Sequence, residues 1–199
     1  MPTRSRRGGA KRRAPREGQL AIALRSDGTG RLAVISDTHG EPHPAAASVI
    51  ATMRPDGILH AGDVGDPACL APFSSIAPLA LVRGNIDAHP SEWPDRMTID
   101  LLAGDDLVMR FLLVHIALAG VQLRTDVGRL AAARGAQVVI CGHSHVPFIG
   151  RDGGLAIFNP GSIGPRRHPL PIVFGVVEVA AGRVTMRHHA AATGATWTP

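Results

Sequence analysis

The sequence predicts a mixed α/β layered fold, and three observations predict it. Short apolar runs of strand length alternate with helix-like segments in the first half, the pattern of βα units with parallel pairing. Apolar runs later in the chain flank tight turn residues, which adds antiparallel hairpins. A hydrophobic content of 45% over 199 residues suffices for one ordinary domain with a substantial core.

The elements follow in order. QLAIALRS and RLAVIS flank Asp27-Gly28-Thr29-Gly30 and read as a hairpin. Residues 45–54 read as a helix ended by Pro55, because a residue before proline avoids helical geometry. Residues 57–61 form a short apolar strand, residues 67–77 a helical stretch and residues 78–82 another strand. Residues 97–102 and 107–115 flank Gly104-Asp105-Asp106 as a second hairpin. Residues 126–134 read as a helix, capped by Thr125 or Asp126 and ended by Gly135. Residues 137–141 form a buried strand. Two hairpins close the chain, one turning at Asp152-Gly153-Gly154 and one at Ala181-Gly182. No internal repeat is visible.

Charge is unevenly placed. Of 21 basic and 16 acidic residues, seven and one fall within residues 1–17. The remainder holds 14 basic and 15 acidic residues, a formal charge of −1. The expected organisation is therefore a disordered basic tail at 1–18, a domain at 19–190 and a C-terminal tail at 191–199. The overall net charge of +5 is a property of the tail and does not by itself argue for nucleic-acid binding. A basic arm for a polyanion is the alternative to a merely solvated tail, and is not favoured. Two cysteines cannot make a disulfide framework, so a reducing, cytoplasmic setting is expected. No apolar run approaches the roughly 18–20 residues of a membrane span. An oligomer is compatible with the sequence.

Polar residues gather where five apolar strands stop. LAVIS leads to Asp37-Thr38-His39-Gly40, GILHA to Gly62-Asp63, and LALV to Arg83-Gly84-Asn85-Ile86-Asp87. RFLLV leads to His115, and QVVI to Cys141-Gly142-His143-Ser144-His145. Sites in open α/β sheets form beyond the carboxyl ends of strands, so the five ends can share one crevice. The donors are two Asp, one Asn and four His, a nitrogen-and-oxygen set without thiolate, suited to Mn, Fe, Zn or Ni. Seven side chains are too many for one ion and fit two ions that share a carboxylate. Histidines two apart in an extended stretch lie on one side and can reach neighbouring ions. Glycines at 40, 62, 84 and 142 permit close backbone approach beside the ligands. Two metals about 3.5–4 Å apart are a recurring device for phosphate esters. Neither Cys141 nor Ser36 has a base and orienter that would make it a rival nucleophile.

In their order, these blocks resemble those of the calcineurin-like metallophosphoesterase superfamily: D-x-H, G-D, G-N-x-[DEH], H and G-H-x-H. The likeness spans roughly residues 31–179 and includes Asn159-Pro160-Gly161-Ser162, similar to a signature of the small bacterial and archaeal phosphodiesterase branch. The retromer scaffold subunit of eukaryotes is a relative. The resemblance implies a two-sheet β-sandwich of mixed strands flanked by helices, the four-layer fold of that family. It implies that Asp37, His39, Asp63 and His145 hold one metal, and that Asn85, His115 and His143 complete a second bridged by Asp63. Two divalent ions are implied, Mn favoured over Fe, Zn, Ni or Mg. The implied activity is hydrolysis of a small phosphate ester by a metal-bridged hydroxide, a diester before a monoester. A non-catalytic scaffold of the same fold is the alternative. Asp63, Asn85, Asp87 and Arg166 are the candidate catalytic residues, with Asp87 supporting the loop or substrate and Arg166 preferred over Arg83 and Arg167 for binding phosphate. Two departures stand out. Many members carry a His after the Asn where this chain has Ile86, and the usual H-G-H is here His115-Ile116-Ala117.

Of the remaining histidines, His60 is a candidate for orienting a ligand. His43, His89, His168, His188 and His189 are expected at the surface, and Cys69 in the core.

Overall fold

The computed structural model describes residues 14–87 and 92–198. Residues 1–13 of the expected basic tail, and His89, lie outside the described residues.

The chain begins with β1 (Glu17–Ala23) and β2 (Gly30–Ile35), followed by α1 (Ala46–Thr52) and β3 (Gly57–His60). A 3-10 turn (Pro67–Leu70) runs into α2 (Ala71–Ser74) and then β4 (Leu79–Leu81). Next come β5 (Arg96–Ala103), β6 (Asp106–Val114), the small strands β7 (Leu118–Ala119) and β8 (Gln122–Leu123), and α3 (Thr125–Arg134). The rest is strand: β9 (Val138–Ile140), β10 (Phe148–Asp152), β11 (Leu155–Asn159), β12 (Val173–Ala180), β13 (Arg183–Ala190) and β14 (Thr196–Trp197).

Two six-stranded mixed sheets result. The first runs β1-β5-β6-β9-β11-β10 and the second β14-β13-β12-β2-β3-β4. Strands β2, β3 and β4 are parallel, as are β6, β9 and β11, and the hairpin partners run against them. The alternation of strand side chains explains the layering. Leu32, Val34 and Leu59 face Ile99, Phe111, Leu113, Ile140 and Phe158 between the sheets. Their neighbours Ala33, Ile35 and Ile58 point outward onto Ile50 of α1 and Phe73 of α2. On the other sheet Leu112, Val139 and Ile157 point outward onto Val127 and Ala131 of α3. Helix, sheet, sheet, helix: the four-layer sandwich implied by the resemblance is present.

Three expectations are corrected. The segments around the turn at 27–30 do not form a hairpin, since β1 pairs in parallel with β5 while β2 lies between β12 and β3 in the other sheet. The turn itself is formed, with Asp27 accepting from the backbone N–H and hydroxyl of Thr29. The strands differ in environment: β1 alternates as a half-buried edge, whereas β2 is buried on both faces and needs the centre of a sheet. Helix α3 is not capped by Thr125 or Asp126. Arg124 takes the cap position without a side-chain cap bond, held extended because its N–H donates to Ala117 O. Gly135 ends the helix in left-handed geometry, as expected. The paired chain also extends past both expected borders. Glu17 and Gly18 already belong to β1, and Thr196–Trp197 pairs with β13. Among the described residues, no helix is long and apolar enough to cross a membrane.

Candidate metal centre

The loops after β2 and β3 keep pairing beyond their strands, with Asp37 N–H donating to Gly62 O, His39 N–H to Asp63 O and Gly40 N–H to Val64 O. This holds Asp37, His39 and Asp63 side by side. The loop after β9 closes over them, since His143 N–H donates to the Asp37 carboxylate at 3.0 Å. Asp37, His39, Asp63, His143 and His145 all have positive φ, between 49° and 72°. Such left-handed geometry is costly for non-glycine residues and gathers where function requires it.

Side-chain donors meet in two groups. In the first, Asp37, His39 and His145 bring ligand atoms within 4.8 Å of one another. His145 Nε2 lies 3.4 Å from Asp37 Oδ1 and 3.2 Å from His39 Nε2. In the second, Asp63, His115 and His143 do the same. Asn85 Oδ1 lies 3.0 Å from His115 Nε2 and 2.8 Å from His143 Nδ1. Asp63 stands between the groups, its Oδ2 at 3.8 Å from His39 and its Oδ1 at 3.2 Å from His115. All seven sequence-predicted ligands therefore converge.

The donor chemistry fits two cations. Asp37 and Asp63 are buried, and among the described residues their ion pairs run only to histidines. Ring nitrogens face one another and carboxylate oxygens, an arrangement that a shared cation satisfies better than protons do. His115 is oriented for a metal: Nδ1–H donates to Ala61 O at 2.8 Å, which turns Nε2 toward Asp63 and Asn85.

Electrostatics agree. Burial pushes the Asp37 carboxyl up to about 6. Burial also pushes Asp63 up, but the hydrogen bond and charge of His115, the Ile86 N–H and His39 outweigh it, leaving its pKa at about 2. His115 is held above its ordinary value because Asp63 and Asp37 outweigh its burial. Burial, with Arg167 and His39 nearby, pushes His145 down to about 4. His39 and His143 are lowered as well, burial being the largest cause. Neutral imidazoles are the form that binds metal.

Several supporting contacts were not foreseen in the sequence. Asn159 donates through Nδ2 to Gly142 O at 2.7 Å and to Ser144 Oγ at 3.1 Å, and Ser162 Oγ donates to Asp37 O at 2.9 Å. The Asn-Pro-Gly-Ser segment thus fastens the two loops that carry Asp37, His143 and His145. Its wording in the sequence was visible, but its partners are more than a dozen residues away. Asp87 acts similarly. Its oxygens accept from Gly84 N–H at 2.7 Å and Gly65 N–H at 3.0 Å, which gives it the loop-supporting contacts. His60 is fully buried, accepts from Gly62 N–H, and its Nε2–H donates to Thr38 Oγ1 at 2.7 Å. Burial pushes its pKa down to about 3.

The three candidate arginines take different places. Arg167 Nη2 lies 3.3 Å from His39 Nδ1, whereas Arg166 lines the same small pocket near His145 with no hydrogen bond to a candidate ligand among the described residues. Arg83 pairs with Asp95. His188, expected at the surface, is buried beneath Phe158 and donates to Asn159 O, because β13 turns its even-numbered residues inward there. Cys69 is half-buried at the edge of the core, its Sγ against Val64 O. Cys141 is buried, and burial raises its thiol to about 12, which removes it as a nucleophile. Ile86 is exposed and lends only its backbone N–H, to Asp63 Oδ1. His115 keeps its place beside Asp63 although Ile116 and Ala117 replace the usual residues after it.

Residues 31–182 match the calcineurin-like phosphoesterase superfamily domain, and the chain belongs to that family. More particularly, a protein named as a probable metallophosphoesterase of Methanothermobacter thermautotrophicus is 35% identical over 141 residues, spanning 66% of this chain and 76% of that one. Among solved structures, Entamoeba histolytica Vps29 complexed with zinc is similar at a TM-score of 0.64 and 19% identity, covering 84% of this chain and 96% of that one. A structure described as a novel archaeal phosphodiesterase is similar at 0.61 and 17%, covering 79% and 99%. At such identities the structural likeness speaks for the fold.

Proposed function

We propose that this chain hydrolyses phosphate esters, phosphodiesters in preference to monoesters, with two divalent cations at the joined histidine–carboxylate groups. The observation that carries the proposal is the position of Asp63, one carboxylate oxygen toward each group. Asp37, His39, Asp63 and His145 would hold one cation, and Asp63, Asn85, His115 and His143 the other. When bound, such a pair neutralises phosphate oxygens and lowers the pKa of water held between them. Manganese is the preferred ion, on the family resemblance and a donor set without sulfur.

The chain's own residues set the conditions. His115 presents Nε2 because Ala61 O holds its other nitrogen, and Asn85 turns its side-chain oxygen inward. Arg167 supplies positive charge on the His39 side of the site and is the arginine proposed to meet substrate phosphate, in place of Arg166. With Ile86 where many relatives carry a histidine, no side chain there can protonate a leaving group. Esters with good leaving groups are therefore the expected substrates. The complete donor set argues for an enzyme over a scaffold.

The test is hydrolysis of bis(p-nitrophenyl) phosphate and p-nitrophenyl phosphate by purified protein across Mn²⁺, Zn²⁺, Ni²⁺ and Mg²⁺. The diester should be cleaved faster, and Asp63→Ala should fall to background. Wild-type protein inert with every metal, or undiminished turnover in Asp63→Ala, would sink the proposal.

A further inference from the structure

A cleft of about 420 Å³ opens directly beside the second donor group, with Asn85 and His115 in its wall. Away from those two residues, it has no part in holding a cation. Its apolar lining comes from Val114 at the end of β6, Ile116 just beyond it, and Val127 and Leu130 of α3. The lining also carries Arg83, paired with Asp95, and the charged residues Arg96 and Asp126. A lining that joins aliphatic side chains to arginines suits a ring-bearing group, whose faces pack on apolar side chains and whose polar edge a guanidinium can meet.

Size narrows the occupant. Ligand sites for organic molecules span roughly 300–1,000 Å³, so the cleft is large enough for a sugar-and-base group and far larger than a phosphate ion needs. A methyl ester would leave most of it empty. From this placement we infer that the cleft is the subsite for one ester substituent of a phosphodiester, a ring-bearing group of nucleoside size. The inference rests on the phosphoesterase reading above and deepens it. A diester brings a second substituent to the phosphorus, and this cleft gives that substituent a place.

The experiment compares thymidine 5′-(p-nitrophenyl) phosphate with methyl p-nitrophenyl phosphate, both with Mn²⁺ and full-length protein. In each, a water oxygen bonds to phosphorus, the P–O bond to p-nitrophenolate breaks, and the water protons pass to solvent. The leaving group is the same, so the ratio of kcat/KM reports the other substituent. Wild-type protein should favour the thymidine ester by about tenfold or more, the scale of a filled pocket against an empty one. Leu130→Trp, which fills the cleft, and the milder Leu130→Gln should both pull that ratio toward one while the melting temperature confirms folding. A wild-type ratio near one, or a ratio unchanged in a folded Leu130 variant, overturns the subsite and leaves the hydrolase standing. Failure to cleave either ester with any metal overturns both.

Discussion

The two ends of the sandwich use left-handed backbone in opposite ways. At the turn end, Gly104 and Gly153 have positive φ, and a Cβ added to either meets nothing within 4 Å. Arg54 and Ala181 are the non-glycine residues of this kind there. At the site end, the non-glycine left-handed positions are Asp37, His39, Asp63, His143 and His145, beside the left-handed glycines 40, 62, 65 and 161, and the backbone around them is crowded. A Cβ on Gly84 would lie 2.1 Å from both the backbone nitrogen and Oδ1 of Asp63. The glycine turns there are open and local, although Asp56, beside Arg54, also ties the chain to Arg25 and Arg31. The site end is held in strained geometry by long-range clamps, and strain is kept where it aims a donor.

Substitutions at the two ends should therefore differ most. Gly84→Ala has no room for its methyl group and should displace Asp63, reducing hydrolysis to background and lowering metal content in elemental analysis. Turnover near the wild-type rate would break the comparison. Asn159→Ala removes both bonds to the loop of His143 and His145. A loss of roughly 10–100-fold in metal affinity, read by calorimetric titration, is expected for such an outer partner. An unchanged affinity would mean that the clamp is dispensable.

The pH dependence of the metal-free protein sharpens the same point. His60 is neutral in the fold, with a pKa of about 3, whereas an unfolded histidine protonates near its ordinary value of 6.5. Between those values the unfolded chain binds the extra proton, so this contribution is fully present above about 6.5 and is lost as pH falls toward 3. Asp37, raised to about 6, has the opposite sign between its ordinary 3.8 and that value. His39, His143 and His145 share the sign of His60. The melting temperature should fall on acidification below pH 6.5, and His60→Gln should make the fall shallower. An equal slope in the variant would count against a buried neutral imidazole. The smallest effect belongs to the turn end. Gly153→Ala, strained only by its φ of 56°, should cost about 1 kcal/mol, or roughly 2–4 °C, and leave activity within about twofold.

The same contrast explains what the sequence made legible. Strand-end donors and turn glycines are written in adjacent residues, so the clustering of the candidate donors, the β5–β6, β10–β11 and β12–β13 hairpins and the end of α3 were readable. What depended on distant partners was not. The first segments looked like a hairpin because their turn is sound, but the burial of β2 on both faces is decided by β3 and β12. Asp87 was read as supporting the loop or the substrate, and only the fold shows which backbone N–H groups of two loops it holds. Arg166 and Arg167 are neighbours in sequence, and only the fold brings one of them to His39.

Anomalous diffraction from crystals grown with Mn²⁺ tests the central claim most directly. Two peaks are expected about 3.5–4 Å apart, one on each side of the Asp63 carboxylate. No peak among these residues, or a single peak that persists unchanged in Asp63→Ala, would contradict a centre built on a shared carboxylate.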